Sequence, residues 1–357
     1  MPLVFLLLFP GMVFAFGYVD AHGNGSPVSG FNAVSLGLGG ARAIGFGDAL
    51  SVLTNPAEIY RIPGTSFTMS IGPAVQMETV ENSAGISRNN WITLGNLSAA
   101  MKFQPYSRLA FGAGIARITD SSFDGMYHVR EDFPGPYYGD ILKTMELTVK
   151  GGLYESAAGF SWRPVTWMNI GISGGFRFGQ VSYDSTYMDR KHPENDTLIC
   201  WDWDESSFCW HAGLIFPLGL TRLGVSWASP SEHYYGRIAA GAIMYTGEMK
   251  QGAFGAEIEI IDPGDINELK TRILGQFHPE GSLTFRGAFT FSNRGDEIER
   301  QGIGIALGAG IAFGKLTLNA AFSWSSDNID AIAFGYAEPE VIKLSSSILS
   351  AGLNWNL

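Results

Sequence analysis

Six histidines are scattered along the 357-residue chain, at His22, His128, His192, His211, His233 and His278. None belongs to an HExxH stretch or to a Cys/His cluster with zinc-ligand spacing. His211 lies on an alternating stretch whose parity would turn it inward in a barrel, where a barrel hydrolase holds its general base. A structural role is the plainer reading of a lone inward histidine, and no catalytic set is assigned. Cys200 and Cys209 flank the segment Trp201–Phe208. Two cysteines in an exported chain favour a disulfide, so a bridge stapling an external loop is expected. Asp202, Asp204 and Glu205 in that segment offer carboxylates to Ca²⁺, or are simply solvated. Trp201, Trp203 and Trp210 read either as a landing patch for a lipid-like ligand or as residues of an interfacial girdle. The glycine runs at 37–47 and 302–310 do not match GxGxxG and sit in no βαβ unit, which argues against a nucleotide loop. The sequence calls for no cofactor and no resident metal.

The elements that would carry these residues are strands. Hydrophobic residues make up 46% of the chain and charged ones only 16%, against about 25% in an average soluble domain. Glycine is abundant and aromatics reach 13%, as many strands with small residues between them require. The net charge of −11 comes without basic stripes, which argues against a nucleic-acid partner. The acids concentrate in Asp184–Glu205 and Asp327–Glu340, read as solvated loops or as carboxylates bridged by divalent cations to lipopolysaccharide. The apolar run Leu3–Phe14 has the length of a signal-peptide core and is too short to span a bilayer as a helix. Small residues at Val13 and Ala15 place cleavage after Ala15. Residues 1–15 are therefore expected to be a signal peptide, although the run is preceded by no Lys or Arg.

No later segment is long and apolar enough for a membrane helix, so a membrane-spanning mature chain must be a closed barrel. The period-2 signal agrees. Leu283, Phe285, Phe289 and Phe291 alternate with Thr284, Arg286, Thr290 and Ser292. Ile303, Ile305, Leu307 and Ile311 alternate with glycine and alanine. Ile172, Phe176 and Phe178 oppose Ser173 and Arg177, and Phe208 and Trp210 oppose Cys209 and His211. Such stretches run 10–13 residues, longer than the usual globular strand of about 5–6. The fold class expected is all-β: a transmembrane antiparallel β-barrel of about 14 strands over 65–357, with an N-terminal hatch (16–64) in its lumen. Gln104–Ser107, Arg163–Thr166 and Phe313–Lys315 read as tight turns. Asp120–Lys143, Asp184–Glu205 and Ser326–Lys343 read as long external loops. Lumen-facing cations that would meet a carboxylate ligand are Arg177, Arg286 and Lys315, with an ion-pair network bracing the hatch as the preferred reading. Arg108, Glu257 and Glu259 are further lumen charges.

Within residues 29–73 the chain carries Gly39-Gly40-Ala41, then Asp48-Ala49, then Asn55-Pro56-Ala57, then an opening strand. Asp48 can cap a short helix through Leu53, and Pro56 can end that helix or start another with Asn55 as its cap. This order of motifs resembles the hatch of the FadL-type outer-membrane transporters of long-chain fatty acids. The resemblance implies passive uptake of a hydrophobic small molecule through the outer membrane. The C-terminal half also resembles the PorV-type barrels of protein secretion, which would instead make the chain a non-transporting scaffold or shuttle for a secreted protein partner.

Overall fold

The computed structural model describes residues 26–45, 48–61, 64–82, 85–130, 140–247, 251–263, 268–279, 282–295, 299–331 and 340–357. The expected signal peptide lies outside the described residues.

The chain opens with β1 (Ser26–Pro27), α1 (Ala33–Gly37) and two 3₁₀ turns, Ala49–Leu53 and Pro56–Arg61. The strands that follow are β2 (Ser66–Asn82), β3 (Gly85–Tyr106), β4 (Leu109–Arg117), β5 (Thr119–Asp120), β6 (Phe123–Arg130), β7 (Ile141–Val165), β8 (Met168–Asp189) and β9 (Thr197–Leu218). After these come β10 (Thr221–Ala228), β11 (Arg237–Thr246), β12 (Gly252–Ile261), β13 (Glu268–Phe277), β14 (Leu283–Gly295), β15 (Glu299–Phe313), β16 (Leu316–Ala331) and β17 (Glu340–Asn356). Consecutive wall strands pair antiparallel, β17 closes onto β2, and β4 pairs with β7. The wall is thus a closed barrel of fourteen strands, β2–β4 and β7–β17, with β6 added against the upper half of β7.

Closure satisfies the backbone, and alternation sorts the side chains. Phe285, Phe289, Phe291, Ile303, Leu307, Phe176 and Phe208 lie on the exposed outer face, while Ala288, Ala306, Arg177 and Cys209 are buried inside. An apolar outer surface with a small and polar interior is the inverse of a soluble core, and a lipid environment accounts for it. Short turns at 107–108, 166–167 and 314–315 fall at one end, the periplasmic end in outer-membrane barrels. Trp162, Trp167 and Trp355 are exposed near that end, where interfacial aromatics gather.

The other end departs from expectation. Asp184–Glu205 is no loop: β8 runs to Asp189 and β9 starts at Thr197, so most of the segment continues the hairpin ladder. Tyr183 opposite Trp201, Val181 opposite Trp203 and Tyr187 opposite Thr197 are strong strand formers, and they keep the hairpin paired well past a bilayer's thickness. Likewise β6 occupies part of Asp120–Lys143, and β16 extends to Ala331. The hairpin also overturns the expected disulfide. Cys200 and Cys209 are free thiols on the same continuous strand. Nine residues of extended chain separate them by about 30 Å, far beyond disulfide reach.

Candidate functional site

The N-terminal segment lies in the lumen and touches opposite walls, with α1 against β14–β17 and the 3₁₀ turns against β3, β4, β7, β8 and β9. Local chemistry shapes it. Asn32 caps α1, accepting from Ser35 N at 2.7 Å. Leu36, Leu38, Ile44, Val52, Leu53 and Ile59 are buried. Gly39 and Gly40 take φ of +67° and +75°, and a Cβ at Gly40 would sit 1.6 Å from Ser29 O. Asp48 occupies the cap position of Ala49–Leu53, and Asn55 Oδ1 accepts from Ala57 N at 3.1 Å at the start of Pro56–Arg61.

Two sets of contacts hold this hatch in place. In the first, the Glu257 carboxylate on β12 accepts from the backbone N–H groups of Arg42 (2.8 Å), Ala43 (2.8 Å) and Ile44 (3.1 Å). Arg272 joins Glu257 at 3.1 Å and Glu259 at 2.5 Å, and donates to Gly39 O at 2.8 Å. Arg42 and Arg237 each reach Glu259 at 3.1 Å. Every charge in this buried network faces an opposite one, which burial demands. In the second, the hatch backbone rests directly on wall glycines. A Cβ at Gly171 would lie 2.1 Å from Ala57 N and one at Gly224 2.2 Å from Ala43 O, while one at Gly213 would lie 1.8 Å from the side-chain Oδ1 of Asn55. Asn55 Nδ2 donates to Ala43 O at 2.8 Å and to Val225 O at 3.3 Å. Ser173 and Ser161 donate to Val52 O (2.6 Å) and Ala57 O (3.1 Å). Arg222 reaches Glu58 at 3.3 Å.

One side of the wall is interrupted. β3 pairs with β4 only between Ser98 and Tyr106. Beyond Arg117 the chain turns inward, and Thr119–Asp120 leaves the wall to pair with Ser26–Pro27 of the hatch. β6 then rejoins β7 but forms no described ladder with β3. Side chains span the seam instead. Trp91 Nε1 donates to Ser122 O at 2.9 Å, Met126 N donates to Asn89 Oδ1 at 3.0 Å, and Arg117 donates to Leu94 O. Arg117 also binds Asp120 at 2.7 Å and Gly151 O at 2.9 Å, which fixes the bend. Next to the seam, the upper lumen is packed with apolar groups: Val80, Phe123, Tyr127, Leu147, Val181 and Ile342 are buried there, flanked by Met77, Trp91 and Trp203. A separate cavity of about 140 Å³ opens between the hatch and β13–β17, bounded by Gly39, Gly40, Asp120, Lys270, Arg300 and Trp324.

The residues singled out from sequence fall into three groups. Gly39, Gly40, Asp48, Asn55, Pro56 and Ala57 come together in the lumen segment. Arg177 is fully buried and paired with Glu155 at 2.8 Å, beneath the Tyr234 ring; Arg286 donates to Gln276 Oε1 at 2.9 Å and to Asn319 Oδ1 at 3.1 Å. Lys315 is a correction. It is exposed in the turn between β15 and β16, because the strand begins one residue later, so it lines no lumen. Arg108 is likewise an exposed turn residue. Asp202 and Asp204 point outward while Glu205 is buried inward, accepting from His233 N at 3.1 Å, so they form no common cation site. Trp203 stacks on His233 at 4.0 Å, whereas Trp210 lies on the outer face against Trp227. Sequence reasoning missed the inward bend at Arg117–Ser122. It noted Glu257 and Glu259 but not their partners: strand register brings Arg237 and Arg272 to them, and the docked hatch brings Arg42.

No protein-family model matches the sequence, and no curated protein sequence does either. Solved structures do match. A Pseudomonas aeruginosa FadL homologue aligns over 93% of this chain and 99% of its own, with TM-score 0.70 at 11% identity. The P. putida toluene transporter TodX aligns over 92% and 99%, with TM-score 0.68 at 13% identity. The Ralstonia pickettii toluene transporter TbuX gives 0.65 at 12% identity, over 92% and 99%. With its closed wall of fourteen antiparallel strands and its N-terminal segment in the lumen, the chain has the fold of the FadL-type outer-membrane barrels.

Proposed function

We propose that the protein is a passive outer-membrane channel for hydrophobic small molecules, long-chain fatty acids or hydrocarbons of toluene size, exported by the signal peptide at 1–15. The observation that carries this reading is the seam between β3 and β6 beside an apolar upper lumen. A polar solute needs a continuous aqueous path, and the buried hatch fills that path. An apolar solute needs only greasy contacts and a way out through the wall. It would land on the inward aromatics at the mouth, Tyr183, Trp201 and Trp203, and move down the cluster around Phe123 and Tyr127. It would leave into lipid where Trp91, Asn89 and Arg117 hold the wall with side chains. Rearranging side chains is cheaper than breaking a ladder of backbone hydrogen bonds, so this seam is the part of the wall suited to opening.

The experiment is uptake of labelled long-chain fatty acid and of labelled toluene into vesicles containing the folded, heat-modifiable barrel, with and without residues 16–60. Saturable uptake of either probe by the full chain, with leakage of hydrophilic solutes only after truncation, is expected. A folded barrel that carries neither probe would overturn the channel reading in favour of a protein-binding scaffold.

A further inference from the structure

The inner face of β7–β9 carries a second chemical group, separate from the hatch anchors on β11–β13. Glu155 on β7 and Cys209 and His211 on β9 each bring one ligand atom within 4.8 Å of the other two. None is more than 1% exposed. The register explains how residues on two non-adjacent strands meet: between Ala157 and Cys209 the intervening β8 residue is Gly175, so no side chain stands at that level. Glu155 gathers the donors around it, with Arg177 Nε at 2.8 Å and His211 Nε2 at 2.6 Å. His211 Nδ1 is buried and has no hydrogen-bond partner, an uncommon state for a polar atom in a folded chain.

We propose that Glu155, Cys209 and His211 form a binding site for a divalent transition-metal ion, with Zn²⁺ the best fit, that ties β7 to β9 beside the docked hatch. One sulfur, one imidazole nitrogen and one carboxylate oxygen are a zinc-type donor set, with a fourth position left for water. Hard cations such as Ca²⁺ and Mg²⁺ select oxygen donors and do not favour the thiol. The charge balance is favourable. The ion displaces the thiol proton, and the imidazole binds it as a neutral ligand. Thiolate and carboxylate together carry two negative charges to meet the ion's two positive ones. The same burial argues against a nucleophilic cysteine, because no substrate reaches a thiol that is 0% exposed. A metal ion can enter while the barrel folds.

The test refolds tag-free Cys200→Ser protein, which lacks the exposed second thiol, in the presence of Co²⁺. One Co²⁺ per chain is expected to survive desalting, to show sulfur-to-cobalt charge-transfer absorption and to be displaced by Zn²⁺. Cys209→Ser in that background loses the absorption, and His211→Ala loses ion retention, with heat-modifiable migration reporting that each variant is folded. A folded Cys200→Ser barrel with no charge-transfer band overturns the proposal, and that result stands even if a second variant misfolds. A band that persists in Cys209→Ser overturns it equally.

Discussion

Asp48 is buried among hatch residues, and Asn32 Nδ2 donates to its Oδ2 at 2.5 Å. Burial pushes its carboxyl above the ordinary value of 3.8; hydrogen bonds from Asn32 and the backbone N–H groups of Leu50 and Ser51 offset part of this. The docked hatch therefore binds the Asp48 proton more tightly than a released, solvated hatch does. By linkage, docking is unaffected by this group below 3.8 and weakens as pH rises from there through the raised value. Asp48→Asn imitates the protonated acid and keeps the acceptor for Asn32. Its hatch should stay docked at neutral pH, and the pH dependence of hatch proteolysis should flatten above pH 3.8. An unchanged profile in the variant would place the dependence on another group. Glu257 holds the hatch from the wall side, its carboxylate accepting from three backbone N–H groups and pairing with Arg272. Glu257→Ala leaves Arg272 and those N–H groups buried without it, at a cost of about 3–5 kcal/mol. The expected result is a barrel that folds but conducts ions in planar bilayers, its hatch no longer seated. Asp48 and Asn55 were legible in the sequence, because a short polar residue before a small apolar run or before proline signals a cap. Glu257 was readable as a lumen charge of a network bracing the hatch, but its partners at Arg42–Ile44 were not, since they lie on a segment distant along the chain.

At the scale of elements, the hatch and wall fit through absent side chains. Asn55 Oδ1 occupies the place of a side chain at Gly213. Gly213→Val pushes Asn55 off its bonds to Ala43 O and Val225 O. It should raise ion conductance as hatch truncation does, while leaving β9 paired and the barrel heat-modifiable. Conductance equal to the parent's would mean that the hatch is held without this contact. The bend between β4 and β6 makes a different prediction. Asp120 accepts from Arg117 at 2.7 Å and from Ser122 N at 2.9 Å. Asp120→Ala removes both bonds and leaves a buried guanidinium with one fewer partner, a loss of order 1–3 kcal/mol. Uptake of a hydrophobic probe should change, in rate or in saturation, with little change in ion conductance, because the seam and the hatch are separate barriers. Most strand positions were readable from alternation, since one parity had to face lipid. The bend was not: Ile118–Ser122 has no glycine or proline to mark it, and its cause is the pairing of Thr119–Asp120 with β1, a contact between distant parts of the chain.

The whole molecule is organised by an inverted distribution of apolar residues. That inversion makes the barrel legible in the sequence, because low charge, abundant glycine and long period-2 runs leave few other ways to satisfy the backbone. The height of the hairpins was not legible in the same way. Outside the bilayer both faces of a strand turn polar, so the pattern fades while the ladder of β8 and β9 continues. The inversion also predicts where each tryptophan sits. Trp162, Trp167 and Trp355 are outward and near the short-turn end, about half exposed. Trp91 and Trp203 turn inward, one bonded to Ser122 O and the other stacked on His233. In vesicles made with brominated lipids, which quench tryptophan on contact, the quenchable fluorescence should fall on Trp162→Phe or Trp355→Phe and hold on Trp203→Phe. Lipids brominated near the headgroup should quench the outward set more than lipids brominated at the chain end, because indoles concentrate at the interface. Equal losses from the inward and outward variants would contradict the facing of the strands, and with it the assignment of the apolar surface to lipid. Stronger quenching from the chain end would keep the facing but shift the bilayer along the barrel, moving the seam at Arg117–Ser122 relative to the membrane into which it would open.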